Sequence, residues 1–228
     1  MSNPSKSAKS SLRSKICTSL SEPTVARLVA GLRGVAFAEV RLDGLRDADE
    51  DLSPLFEGKR RVIATCRPGR LEDRERFEVL RRAVDAGARI VDVELETPWR
   101  LRDTFVRDAK RGGVQVIVSS HNFKETPPLL ELRAYLEVCC RVGADIAKIA
   151  CRVRSPWDNA TLLGLLCESG PAGVIGMGRL GLPMRLAAPL LGAEFTYASR
   201  DGARATAPGQ LGFTETLKRM EALQRLWR

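Results

Sequence analysis

The sequence predicts an α/β fold, a closed (β/α)8 barrel in a single domain, from three observations. Eight short runs rich in Val, Ile and Ala recur along the chain; each is followed by a longer stretch with helical periodicity; and the units over residues 15–228 repeat about every 27 residues. The strands are expected at 15–20, 35–43, 60–67, 89–96, 114–121, 145–151, 172–178 and 194–199. Several are apolar at consecutive positions, as parallel strands covered by helices are. The helices are expected at 22–33, 72–86, 98–111, 127–142, 156–168, 182–190 and 210–226, with a short helical turn at 52–56. Cap signals keep the same phase: Ser155-Pro156 and Thr126-Pro127 pair a capping side chain with a first-turn proline, and Gly87, Gly112 and Gly143 stand where helices should stop. A doubly wound open sheet is the alternative, but no G-x-G-x-x-G turn follows any strand, and 228 residues suit one TIM barrel better than two domains.

Composition narrows the chemistry. His121 is the only histidine, which excludes sites built on two or more imidazoles, and no metal or cofactor is expected. Six cysteines, at 17, 66, 139, 140, 151 and 167, have no C-x-x-C spacing, so a reduced, cytoplasmic setting is expected. No apolar run approaches the roughly 20 residues of a membrane span. The opening MSNPSKSAKSSLRS lacks the apolar segment of a secretory signal and reads as a disordered, basic, Ser-rich tail over 1–14, with an organelle transit peptide as the alternative. Of the net charge of +9, four units come from Lys6, Lys9, Arg13 and Lys15, so the body is only mildly basic. With aromatic residues at 5%, base-stacking platforms are poorly supplied and no nucleic acid is expected; a non-catalytic basic barrel remains the rival class.

In a barrel of this type the active site lies at the carboxyl ends of the strands. Five successive strands bring charge there: Glu39 and Arg41, then Arg67, then Asp92 and Glu94, then His121, then Lys148. Charged residues also mark strand ends simply where chain meets water, but five in succession, including the lone histidine, favour a site. Lys148 sits in DIAKIA between apolar neighbours, so desolvation should lower its pKa and supply the neutral amine that carbonyl attack requires, with Arg185 expected to push the same way. An outward lysine whose stem packs on helices is the alternative. His121, one strand earlier, can remove and return a proton. Arg185, after the glycines of MGRLGLPMR, suits either a carboxylate or a phosphate, and the latter would fit a Schiff-base aldolase acting on a phosphorylated substrate. Thr206 and Gln210 in ATAPGQ are potential donors.

In this order, EVRLDGL, ATCR, DVELE, SSHNFKETP, GADIAKIA and APGQL resemble the type I 3-dehydroquinate dehydratase family, Schiff-base enzymes of the shikimate pathway of aromatic amino acid biosynthesis. The resemblance runs from KICTSL near the amino end to APGQL near the carboxyl end. It implies a metal-independent hydro-lyase and a homodimer. Lys148 would form an imine with the C3 ketone of 3-dehydroquinate; His121 would remove the C2 proton and protonate the departing C1 hydroxyl, giving 3-dehydroshikimate and water. Glu39, Arg41 and Arg67 would hold ring hydroxyls, Arg185, Thr206 and Gln210 the carboxylate, and Ser19 is a further polar position. Four positions depart from the family pattern. The glutamate that pairs with the histidine is replaced by Leu71, leaving Glu72 as the nearest substitute; Asn122 stands for an aspartate, Met184 for a serine before Arg185, and Thr206 for a serine.

Overall fold

The computed structural model describes residues 12–47, 49–168, 170, 172–203, 205, 207 and 209–226. Eight parallel strands form one sheet: β1 (Ile16–Leu20), β2 (Phe37–Arg41), β3 (Arg61–Thr65), β4 (Ile90–Glu94), β5 (Gln115–Asn122), β6 (Ile146–Arg152), β7 (Ala172–Met177) and β8 (Thr196–Ser199). Their order, β7-β6-β5-β4-β3-β2-β1-β8, brings the two ends of the sheet together. A hydrogen bond of 2.9 Å from Glu194 N–H to Ala172 O spans that last gap, so the sheet is a nearly closed barrel. Each strand is followed by a helix: α1 (Val25–Gly31), α2 (Ser53–Phe56), α3 (Asp73–Asp85), α4 (Trp99–Arg111), α5 (Leu129–Val142), α6 (Pro156–Gly164), α7 (Leu182–Ala187) and α8 (Phe213–Arg225). This is the expected (β/α)8 TIM barrel. Strand twist and parallel pairing leave no exposed sheet face, because one face meets the helices and the other fills the interior.

Alternation along the strands sorts the side chains. Outward residues such as Val40, Val62, Val91, Val116 and Ile149 pack beneath the helices. Inward residues Cys17, Phe37, Ile63, Ile90, Ile117, Ile146 and Phe195 form an apolar floor at the amino end of the barrel. Two residues further along the same inward rows come Ser19, Glu39, Thr65, Asp92, Ser119, Lys148 and Tyr197, a polar layer resting on that floor. Gly173 makes room in it: a Cβ there would lie 3.3 Å from Lys148 Cγ and 3.5 Å from the Phe195 ring.

Local signals act mostly where expected. Ser155 and Asp158 form a capping box at the start of α6, and Gly143 ends α5 with φ 107°, the left-handed conformation glycine adopts freely. Thr126 is a correction: α5 starts at Leu129, after Pro127 and Pro128, and the Thr126 hydroxyl instead donates to Arg152 O at 2.9 Å. Successive prolines hold the preceding backbone extended, which delays the helix. Of the expected tail, residues 1–11 lie outside the described residues; Leu12 is buried against the cluster of Ile16, Leu217 and Met220.

Candidate active site

At the carboxyl end of the strands a cavity of about 390 Å³ opens, lined by Ser19, Glu39, Arg41, Arg67, Glu94, His121, Lys148, Arg185, Tyr197 and Gln210, among others. All the site residues expected from sequence stand together there except Glu72; Thr206 lies outside the described residues.

Lys148 is buried in the polar layer. Its Nζ donates to Asp92 Oδ2 at 2.7 Å and lies 3.5 Å from the Tyr197 hydroxyl. Burial lowers its pKa, and the Arg67 cation lowers it further, against the opposing pull of Asp92 and Glu39. Arg67, rather than the expected Arg185, is therefore the cation that presses on the amine. Burial alone would raise the Asp92 carboxyl, but Arg67 and Lys148 override it and hold the group far below the usual carboxylate range. Arg67 reaches from the end of β3 across the layer. It donates to both Asp92 oxygens at 2.8 and 3.2 Å, to Glu94 at 3.2 Å and to Ser119 at 3.1 Å.

His121 extends β5 one inward step above Ser119, which pairs with Lys148 across the β5–β6 ladder. Burial pushes its pKa well below 6.5, reinforced by Arg67 and Lys148, so the ring is a neutral base at neutral pH. Phe123 lies parallel to it, 5.8 Å away with an interplanar angle of 10°.

Glu39 organises one wall of the cavity. It accepts from Ser19 at 2.7 Å, Thr65 at 3.1 Å and Tyr197 at 3.3 Å. Arg41 forms a two-point pair with Asp43, at 2.9 and 2.7 Å, and Asp43 also caps the Arg67 N–H at 3.0 Å. Across the cavity, Arg185 donates to the carbonyls of Gly178 and Gly209, while its Nε is buried without a partner. No carboxylate faces it among the described residues, and burial lowers its pKa. Such a cation is suited to an anionic group of a ligand. Its loop depends on close backbone approach, since a Cβ on Gly181 would sit 2.3 Å from Gly176 O.

Glu72, the expected substitute for the glutamate that pairs with the histidine, does not reach this site. It is the exposed N-cap of α3, where its side chain accepts from the backbone N–H of Glu75 and the Glu75 side chain accepts from its own. Leading into a helix, its carboxylate is drawn to the free N–H groups of the first turn and away from the barrel mouth. Leu71 packs against the outer core. Glu94 instead faces the histidine, with Oε1 3.7 Å from His121 Nδ1. Asn122 shapes the loop after β5 by accepting from the N–H groups of Lys124 and Glu125 at 2.9 Å. Met184 is fully buried, with its sulfur accepting from Gly176 N–H at 3.2 Å. Sequence reasoning misses Tyr197 and Ser119, for which the available signal is inward alternation with Phe195 and Ile117. Among the described residues no group of three or more His, Cys, Asp or Glu side chains could hold a metal ion, and no helix is long and apolar enough to cross a membrane.

A lowered-pKa lysine beside a neutral histidine, above a buried carboxylate and between a wall of carboxylate, hydroxyl and guanidinium groups and the buried Arg185, has the groups that imine chemistry on a small polyhydroxylated acid requires. Comparison with known proteins agrees. The model of the family described as Type I 3-dehydroquinase matches residues 16–226. The 3-dehydroquinate dehydratase of Methanosarcina barkeri is 36% identical over 213 residues, spanning 86% of this chain and 88% of that protein. The crystal structure of 3-dehydroquinate dehydratase from Geobacillus kaustophilus superposes with a TM-score of 0.82 at 26% identity, covering 93% of this chain and 92% of that one. That from Aquifex aeolicus gives a TM-score of 0.77 at 28% identity, covering 91% and 97%. Matched along nearly the whole barrel, this chain belongs to the type I 3-dehydroquinase family.

Proposed function

We propose that this chain dehydrates 3-dehydroquinate to 3-dehydroshikimate through an imine on Lys148. The observation that carries the reading is the buried Lys148 amine, lowered in pKa and held at 2.7 Å from Asp92 at the base of a polar cavity. The neutral amine attacks the C3 ketone, and loss of the carbonyl oxygen as water leaves a protonated imine. That cation draws electrons from the adjacent C2–H bond, and His121 takes the proton. The electron pair returns to expel the C1 hydroxyl, which leaves as water with the proton from His121, and hydrolysis of the imine restores Lys148. Net change is the loss of one water.

Roles for the walls follow from their chemistry. Ser19, Glu39, Arg41 and Arg67 would hold ring hydroxyls, and Arg185 with Gln210 the carboxylate, whose two oxygens suit the unpartnered Nε of Arg185. Free cysteines at all six positions support a reducing, cytoplasmic setting. Exposed Trp99, Leu130 and Trp157, in the first turns of α4, α5 and α6, support a homodimer, which sedimentation of the full chain tests.

Borohydride added with 3-dehydroquinate should fix the reduced ligand on Lys148, found by peptide mass, and turnover should produce enone absorbance. Absence of both would overturn the proposal, as would dependence on a phosphorylated ligand with C–C cleavage.

A further inference from the structure

The two ring nitrogens of His121 stand in different surroundings. Nδ1 is sealed from solvent and has no hydrogen-bond partner; the carboxylate facing it is Glu94, whose Oε1 is 3.7 Å away. The ring lines the cavity, so Nε2 is the nitrogen left to face it. Glu94 is not free to turn away. One oxygen accepts from Arg67 at 3.2 Å and the other from Arg76 at 3.1 Å. Arg76, itself buried on α3, is fixed in turn by Asp73 at 2.6 Å and by Cys66 O at 3.0 Å. A neutral imidazole carries one N–H. With the proton on Nε2, the bare Nδ1 lone pair would face a carboxylate lone pair with no water between them. With the proton on Nδ1, the same contact is a donor facing a charged acceptor.

We propose that Glu94, clamped by Arg67 and Arg76, is the positioning residue that fixes His121 as the Nδ1–H tautomer and leaves the Nε2 lone pair directed into the cavity as the base. The inference rests on the proposed role of His121 and deepens it. Glu94 fills the function for which sequence reasoning offered Glu72, from a neighbouring strand instead of the following helix. Closing 3.7 Å to a hydrogen bond requires a shift of under about 1 Å, the kind of tightening that catalytic contacts undergo when substrate binds.

Because His121 is the only histidine, nitrogen-15 histidine labelling of the full chain reports on it alone. The wild-type protein at neutral pH should show a protonated Nδ1 and a bare Nε2; a proton on Nε2 would overturn the proposal without any variant being made. Glu94→Gln removes the carboxylate while keeping the shape. It should move proton population from Nδ1 to Nε2 and lower kcat by roughly 100-fold, while borohydride still fixes substrate on Lys148. Glu94→Asp should recover part of both losses. A Glu94→Gln protein with unchanged tautomer, whatever its kcat, would show that Glu94 does not position the ring. If the wild type forms no Lys148 adduct, the proposed function fails while the tautomer measurement still decides the role of Glu94.

Discussion

Asp92→Asn is the most informative single perturbation of the polar layer. Four donors converge on the two oxygens of this fully buried carboxylate: Lys148 Nζ at 2.7 Å, the two Arg67 nitrogens at 2.8 and 3.2 Å, and the Ser119 hydroxyl. Asparagine keeps one oxygen, so part of this set must face an amide N–H, donor against donor. Lys148 can escape by giving up its proton more readily, because burial already lowers its pKa. Arg67 cannot lose its proton, but it retains Glu94 at 3.2 Å and Glu39 at 3.8 Å. Removing one partner of a buried pair costs about 3–5 kcal/mol. The remaining carboxylates place this case at the lower end, about 3 kcal/mol, which for a chain of this size lowers Tm by roughly 6–12 °C. The same change removes the nearest group that raises the Lys148 pKa, so the pH at which borohydride trapping reaches half its maximum should fall. Calorimetry and a pH series of trapping measure both. A Tm within about 2 °C of wild type, or a trapping midpoint that moves to higher pH, would refute the view of Asp92 as counter-ion to both Arg67 and Lys148.

Four more outcomes are expected from the same arrangement. Glu72→Ala should leave kcat within about twofold and cost about 0.5–1 kcal/mol, the loss of a helix cap, so a large fall in steady-state kcat would return Glu72 to the site. Arg185→Met should raise KM roughly 10–100-fold, the loss of a charge-assisted hydrogen bond, while Lys148 trapping persists at saturating substrate; an unchanged KM would remove Arg185 from carboxylate binding. Two groups must be deprotonated for turnover, Lys148 and His121; the ionisation that His121 contributes to the acid side of kcat/KM should lie below pH 6.5, because burial, Arg67 and Lys148 keep its ring neutral there, and Lys148→Ala in the absence of substrate lets nitrogen-15 titration of His121 check it. The unfolded chain binds that proton as pH falls below about 6.5 and the folded one does not, so stability should decline from that point downward, which equilibrium unfolding across pH would detect.

Much of the fold is legible in the sequence because its signals are local. All eight strands lie within the expected segments or overrun them by one residue, since Val- and Ile-rich runs bounded by glycine and helix caps leave few other conformations. The expected helices are slightly long. Those at 156–168 and 182–190 end in 3-10 turns at Leu165–Cys167 and Ala188–Leu190, where the tighter backbone closes onto the next strand. Thr126 misleads as a cap because a Thr-Pro pair looks the same whether one proline or two follows.

The site is legible as a set of residues and less so as a set of contacts. Strand alternation alone sends Glu39, Asp92, Glu94, His121 and Lys148 inward, so their meeting follows from parity and strand order. Which of them touch does not. Glu72 lies next to the position expected to pair with histidine, yet it turns outward to cap α3; Glu94 comes from 27 residues before His121 along the chain and faces it. Arg185 and Lys148 read as neighbouring cations, yet the structure sets Arg67 against the lysine.

The sequence by itself determined the barrel, the inward rows and the presence of one amine and one imidazole among them, because periodicity and side-chain direction are properties of short segments. Only the tertiary structure decided that Arg67 spans three carboxylates, that Asp92 holds Lys148, and that Glu94 replaces Glu72 beside His121. Those pairings depend on barrel closure and strand register to within about an ångström, and charge interactions in a buried layer change steeply over that distance.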